Sequence, residues 1–166
     1  MPPFDVVQVA DLKPALEAGM NDQLAAIDAI TSSQEPATFD NTLAAMEASS
    51  RTLDRVSTIY DVWSSTMSTP DFQEVEREME PKLAAFRDKI VQNDRLFARI
   101  AAVYQARDTL CRTPEQKRLA WLYYTDFVRA GAKLDAAGKK RVAEINERLA
   151  SLYTSFTQNI LGEEKE

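Results

Sequence analysis

Histidine is absent from the 166 residues of this chain. It is the commonest neutral metal ligand and the usual acid–base group near pH 7, so its absence removes whole classes of site. No Ser-His or Cys-His nucleophile pair can form, no His-bearing zinc site, and no di-iron site built on Glu-x-x-His. The lone cysteine, Cys111, allows no intrachain disulfide; this fits the cytoplasm and leaves the periplasm open. Four glycines and seven prolines are too few for a linker-rich chain, and so few glycines disfavour an all-β fold with many tight turns. A basic excess is missing too. The formal charge is −6 and the isoelectric point about 4.8, which argues against a nucleic-acid partner, because such a partner requires a basic face. No run of about 18 apolar residues occurs, so no membrane span is expected. Met1-Pro2-Pro3-Phe4-Asp5 carries no basic run followed by an apolar block, and no signal peptide is read there.

What is present is ordinary for a globular protein: 45% hydrophobic and 28% charged residues. A chain of this length is expected to form one domain, burying roughly 70% of its unfolded surface. Helical periodicity runs from end to end. Leu12, Leu16, Met20, Leu24, Ile27 and Ile30 mark a first helix, and a polar run ending at Pro36 closes it. A second opens near Thr38-Phe39-Asp40 and carries Leu43, Met46, Leu53, Val56, Ile59, Trp63 and Met67 as its apolar stripe. A third begins with Thr69 as N-cap and Pro70 at the first helical position, and continues through Phe72, Val75, Met79, Leu83, Phe86 and Ile90. Its apolar phase persists across Pro81, which predicts a kink and not a break. A fourth spans about Asp94 to Leu110, with Leu96, Phe97, Ile100, Val103 and Tyr104 inward. Thr113-Pro114-Glu115-Gln116 is a capping box that opens a fifth, which ends near Gly131. A sixth starts near Asp135 with the stripe Val142, Ile145, Leu149, Leu152, Phe156 and Ile160. The predicted fold is all-α: about six antiparallel helices in an irregular bundle, one kinked at Pro81, with residues 1–166 as a single helical domain.

The residues offer little chemistry. There is no Gly-x-Gly-x-x-Gly, Walker loop, Gly-x-Ser-x-Gly elbow or EF-hand loop. Glu74, Glu76, Glu78 and Glu80 stand at i, i+2 spacing, which shares no helix face, and are read as exposed surface. Lys139, Lys140 and Arg141, interleaved with Asp135, Glu144 and Glu147, read as a solvated face and not a phosphate site. Cys111 reads as a small residue near a helix end with no nucleophilic role. Trp121, Tyr123, Tyr124 and Phe127 place aromatics on two sides of one helix, which suits packing between neighbours or a contact with a ligand or another domain. Trp63 and Met67 read as core. Asp126 and Arg129 read as an intrahelical pair, with an arginine facing a cleft as the bolder alternative. No catalytic, metal-binding or substrate-binding residue is assigned.

Several stretches, in order, carry a resemblance. They are Pro2-Pro3-Phe4-Asp5, Pro14 to Met20, Pro36 to Thr42, Leu53-Asp54-Arg55-Val56-Ser57, Pro81-Lys82-Leu83-Ala84-Ala85, Leu96-Phe97-Ala98-Arg99, and Asp126 to Leu134. This colinear set resembles the N-terminal region of bacterial peptidyl-dipeptidases, in the zinc metallopeptidase family of oligopeptidase A and thimet oligopeptidase. It looks closer to the peptidyl-dipeptidase branch. The resemblance implies that the full enzyme removes C-terminal dipeptides from oligopeptides. Its zinc would be held by a His-Glu-x-x-His helix and a further glutamate that lie beyond residue 166. It also implies a helical wall over a channel that admits short peptides, inactive alone, with no cofactor in this segment. The expected partners are the enzyme's own C-terminal catalytic domain and short peptide substrates, with no nucleic acid and no membrane. The expected location is cytoplasmic, with periplasmic left open. Two other readings stay open: a stand-alone helical interaction module or scaffold, and a small enzyme working with carboxylates and tyrosines. Ile160-Leu161, still apolar at the end of the sixth stripe, suggests a domain junction, and apolar surface that the catalytic part would cover invites self-association.

Overall fold

A computed structural model describes Phe4 and residues 6–163. Met1-Pro2-Pro3 and Asp5, where the lack of a signal peptide was read, and the acidic end Glu164-Lys165-Glu166 lie outside the described residues. Helices follow one another as α1 (Val9–Ser32), a π-helical stretch (Phe39–Ala44), α2 (Ala45–Ser49), α3 (Arg51–Thr66), α4 (Pro70–Val91), α5 (Asp94–Gln105), α6 (Arg107–Leu110), α7 (Pro114–Arg129) and α8 (Ala136–Glu163). No strand occurs among the described residues. All six predicted segments are present and the all-α expectation holds. Two of them are subdivided. The second begins as a π-helix and breaks at Ser50, where Ser49 Oγ donates to the Met46 carbonyl at 2.7 Å and Ser50 Oγ donates to Asp54 at 2.6 Å. Local serine bonds of this kind compete with the helical ladder. The fourth breaks at Ala106, leaving α6 as a single turn. α4 runs through Pro81 without interruption.

The start signals act as their chemistry demands. Thr69 Oγ1 accepts from the Phe72 amide, and Thr113 Oγ1 from the Gln116 amide, each at 3.3 Å. The return arm of the predicted box lands one residue early: Gln116 Oε1 accepts from the Arg112 amide at 2.7 Å. Thr38 and Asn41 form a full reciprocal box that opens the π-helical stretch.

α1 is the spine between two apolar clusters. Its N-terminal half, through Leu12, Leu16 and Met20, packs with Leu53 and Tyr60 of α3 and with Phe72, Met79, Leu83 and Phe86 of α4. Its C-terminal half, through Ile27 and Ile30, packs with Phe39, Leu43, Met46, α5 and α7. Several stretches that carry the family resemblance are the joints of this packing. A Cβ on Gly19 would stand 3.1 Å from Leu53 Cα, so only glycine lets α1 and α3 approach this closely. Arg99 donates to the Glu35 carbonyl at 3.0 Å and to Asn41 Oδ1 at 2.9 Å, which fixes the loop after α1 to α5. Gly131, at φ +97°, ends α7 in the left-handed region, and the Ala132 amide returns to the Phe127 carbonyl at 2.9 Å. A side chain at residue 131 would also meet Leu134 Cδ1 at 2.9 Å.

Candidate functional site

α8 is the exception to the packing rule. It lies along α4, yet none of its side chains enters either apolar cluster among the described residues. Most of the apolar stripe predicted for the sixth helix faces solvent. Leu152 is 54% exposed, Phe156 62% and neighbouring Tyr153 67%, with Ile145, Leu149 and Ile160 exposed as well. The buried and half-buried side of α8 is a different row: Lys139, Ala143, Asn146, Ala150, Thr154, Gln158 and Leu161, at steps of three and four. Small residues let α8 sit close to α4, and amides supply the bonds. Gln158 Nε2 donates to Glu76 at 2.8 Å and to the Gln73 carbonyl at 3.0 Å, while Arg77 donates to Gln158 Oε1 at 2.6 Å. Asn146 Nδ2 donates to Asp88 Oδ1 at 2.8 Å.

The acidic run on α4 is accordingly not uniform surface. Glu74 and Glu78 are exposed, but Glu76 is only 7% exposed and Glu80 half-buried. Reading the run at i, i+2 hid this, because Glu76 and Glu80 are four apart and share the face that continues to Ala84 and Asp88. Ser64 Oγ donates to Glu76 at 2.6 Å, and Tyr60 Oη to Glu80 at 3.0 Å. Glu78 instead bonds Lys13 and Lys82 on the outside, and these two lysines hold its carboxyl down at about 2.

The remaining predicted features separate clearly. Tyr123, Tyr124 and Phe127 pack: Tyr124 stacks on Tyr104 at 4.3 Å and on Phe97 at 5.8 Å. Trp121 lies apart from that stack, under the Arg118 guanidinium at 4.0 Å. Met67, expected in the core, is exposed, whereas Trp63 stacks against Phe72. Lys139 is not solvated: it forms an ion pair with Asp94 and bonds the Gln92 carbonyl. Asp126 and Arg129 are both exposed, and no ion pair joins them among the described residues. Cys111 is buried, and burial pushes its thiol up.

Zinc does not fit this donor set. There is no histidine, and no cluster of three or more His, Cys, Asp or Glu able to hold a metal occurs among the described residues. No helix among them is long and apolar enough to cross a membrane.

One buried and one half-buried phenol, in different apolar clusters, give the fold a pH signature. Burial, then the Glu80 carboxylate, pushes Tyr60 far above the usual phenol range; burial, then Glu47, raises Tyr123. A raised folded-state pKa contributes stability that is complete below the free-tyrosine value of about 10 and is lost as pH rises further. Native protein at pH 10.5 is therefore expected to keep Tyr60 and Tyr123 protonated, so absorbance at 295 nm should rise when unfolding at that pH releases them. No rise on unfolding would contradict the burial of these hydroxyls.

No family model matches the chain. Among curated proteins it is 32% identical to the dipeptidyl carboxypeptidase of Escherichia coli (strain K12), over 164 residues that make up 99% of this chain and 24% of that protein. Identity to the dipeptidyl carboxypeptidase of Salmonella typhimurium is likewise 32%, over the same shares. Oligopeptidase A of Salmonella typhimurium is 20% identical over 161 residues, 97% of this chain and 24% of the relative. The chain thus spans about a quarter of the length of the curated relatives it matches. The resemblance carried by the colinear stretches therefore stands: along essentially its whole length this chain is similar to the N-terminal part of the dipeptidyl carboxypeptidase and oligopeptidase A family, more strongly to the former branch than to the latter.

Proposed function

We propose that these helices are the N-terminal part of a zinc peptidyl-dipeptidase, an enzyme that releases C-terminal dipeptides from short peptides. In this reading the metal and the acid–base groups belong to a catalytic domain outside residues 1–166. The helices form one wall of the channel through which peptides reach that domain, and the segment alone is inactive. The observation that carries the reading is α8. Its apolar stripe, Ile145 to Ile160, is continuous, exposed and aimed away from the bundle. Large contiguous apolar surface of this kind marks an interaction site, and the similarity to proteins about four times longer supports a covering partner in the rest of such an enzyme.

A stand-alone interaction module is the second reading, because the same face would serve it equally. The coding sequence after the Glu166 codon separates the two. A long open frame encoding His-Glu-x-x-His is the expected result. A stop codon at that point would overturn the peptidase assignment and leave the interaction module.

A further inference from the structure

Beside the apolar face of α8 lies a groove of about 400 Å³ between α4 and α8. Its lining combines the small residues Ala84 and Ala150 with Glu80, Asp88, Asn146 and Tyr153. Asp88 is only 8% exposed. One of its oxygens accepts from Asn146; the other, Oδ2, is buried with no hydrogen-bond partner among the described residues. A buried carboxylate oxygen left without a donor is costly, by more than a neutral acceptor would be. Glu80, one turn further from Asp88 than Ala84, uses one oxygen for Tyr60 and adds a second negative charge. Arg87 also lines the groove; it is exposed, and no ion pair ties it to either carboxylate among the described residues.

We infer that this groove receives the guanidinium group of an arginine carried by the polypeptide that covers the α8 face. Three observations converge on that occupant. The unpaired oxygen asks for a donor, and a charged one forms the stronger bond. The two carboxylates outweigh the single guanidinium of Arg87 in the lining and set the sign. Leu149 and Tyr153 line both this groove and the apolar depression that they form with Leu152 and Phe156, so one segment lying on α8 reaches both. Oδ2 has no open surface in this conformation, so the inferred contact requires the Asn146 side chain to turn aside as the guanidinium enters. The source of the arginine rests on the peptidase reading; the cation preference of the groove does not.

The test uses the 166-residue chain and two synthetic peptides, acetyl-Arg-Leu-Phe-Leu-amide and the same peptide with norleucine for arginine, titrated by NMR. The arginine peptide is expected to bind at least tenfold tighter and to shift the Asn146 side-chain amide and the Ala84 and Ala150 backbone amides. Asp88→Asn, close in shape, abolishes the difference between the peptides without weakening the norleucine peptide. Phe156→Glu weakens both. Should Asp88→Asn disturb the fold, Glu80→Gln is expected to narrow the difference in its place. Equal binding of the two peptides, or an arginine preference that survives both substitutions, would overturn the assignment. Because the measurement needs no catalytic domain, its outcome is separate from that of the coding-sequence test.

Discussion

Phe72→Ala is expected to lower the free energy of unfolding by about 3–5 kcal/mol. Phe72 is fully buried one turn into α4, with its ring 5.3 Å from Tyr60 and 6.2 Å from Trp63 of α3. It joins α3 to α4 at the point where both meet α1. Truncation removes that contact and leaves a cavity the helices cannot close, because Thr69 caps α4 just before it and Gly19 already holds α1 hard against α3. Against a typical total of roughly 5–15 kcal/mol, this is a large fraction. Urea denaturation checks it as a shifted midpoint with an unchanged slope. Phe156→Ala is the control: the same residue type, on a stripe of the same period, but exposed, should change the midpoint by no more than about 0.5 kcal/mol.

The second large effect lies on that exposed stripe. Phe156→Glu is expected to leave the bundle's own stability nearly untouched, since the side chain is 62% exposed and belongs to neither cluster. In the proposed enzyme the same change forces a carboxylate into an apolar interface. Burying an unpaired charge there costs about 3 kcal/mol or more, which corresponds to at least a hundredfold loss in the docking equilibrium. Activity of the full enzyme should fall with docking, and sedimentation of the isolated chain should show self-association through α8 weakened. Normal activity with Glu at this position would mean that α8 is not the docking face.

These two phenylalanines also show where sequence reasoning works and where it stops. Both stand on apolar stripes of helical period. The stripe says that a helix has an apolar side; it does not say what covers that side. For Phe72 the cover is α3, a few residues back in the chain. For Phe156 nothing among the described residues provides it, and α8 instead meets α4 through Asn146, Thr154 and Gln158. Helix positions and caps were legible because their signals are local: Thr69-Pro70, Thr113-Pro114 and Asp135, whose Oδ1 accepts from the Gly138 amide at 2.7 Å. The break at Ser50 was less so, because it depends on serine hydroxyls choosing the backbone over solvent. The burial of Glu76 was out of reach in that reading: its partners are Ser64, 12 residues away, and Gln158, 82 away. Asp88 and Asn146 were missed for the same reason. The absence of histidine, by contrast, is fully legible, and it excludes a histidine-based zinc site or nucleophile pair within these residues.

The most direct test of that division is dipeptide release from a short N-blocked peptide, measured for the product of the complete reading frame and for residues 1–166 alone, with and without a zinc chelator. The complete product should release C-terminal dipeptides until the chelator is added, and residues 1–166 should release none under either condition. Chelator-sensitive release by residues 1–166, or none by the complete product, would contradict the proposed peptidase and the place of these helices within it.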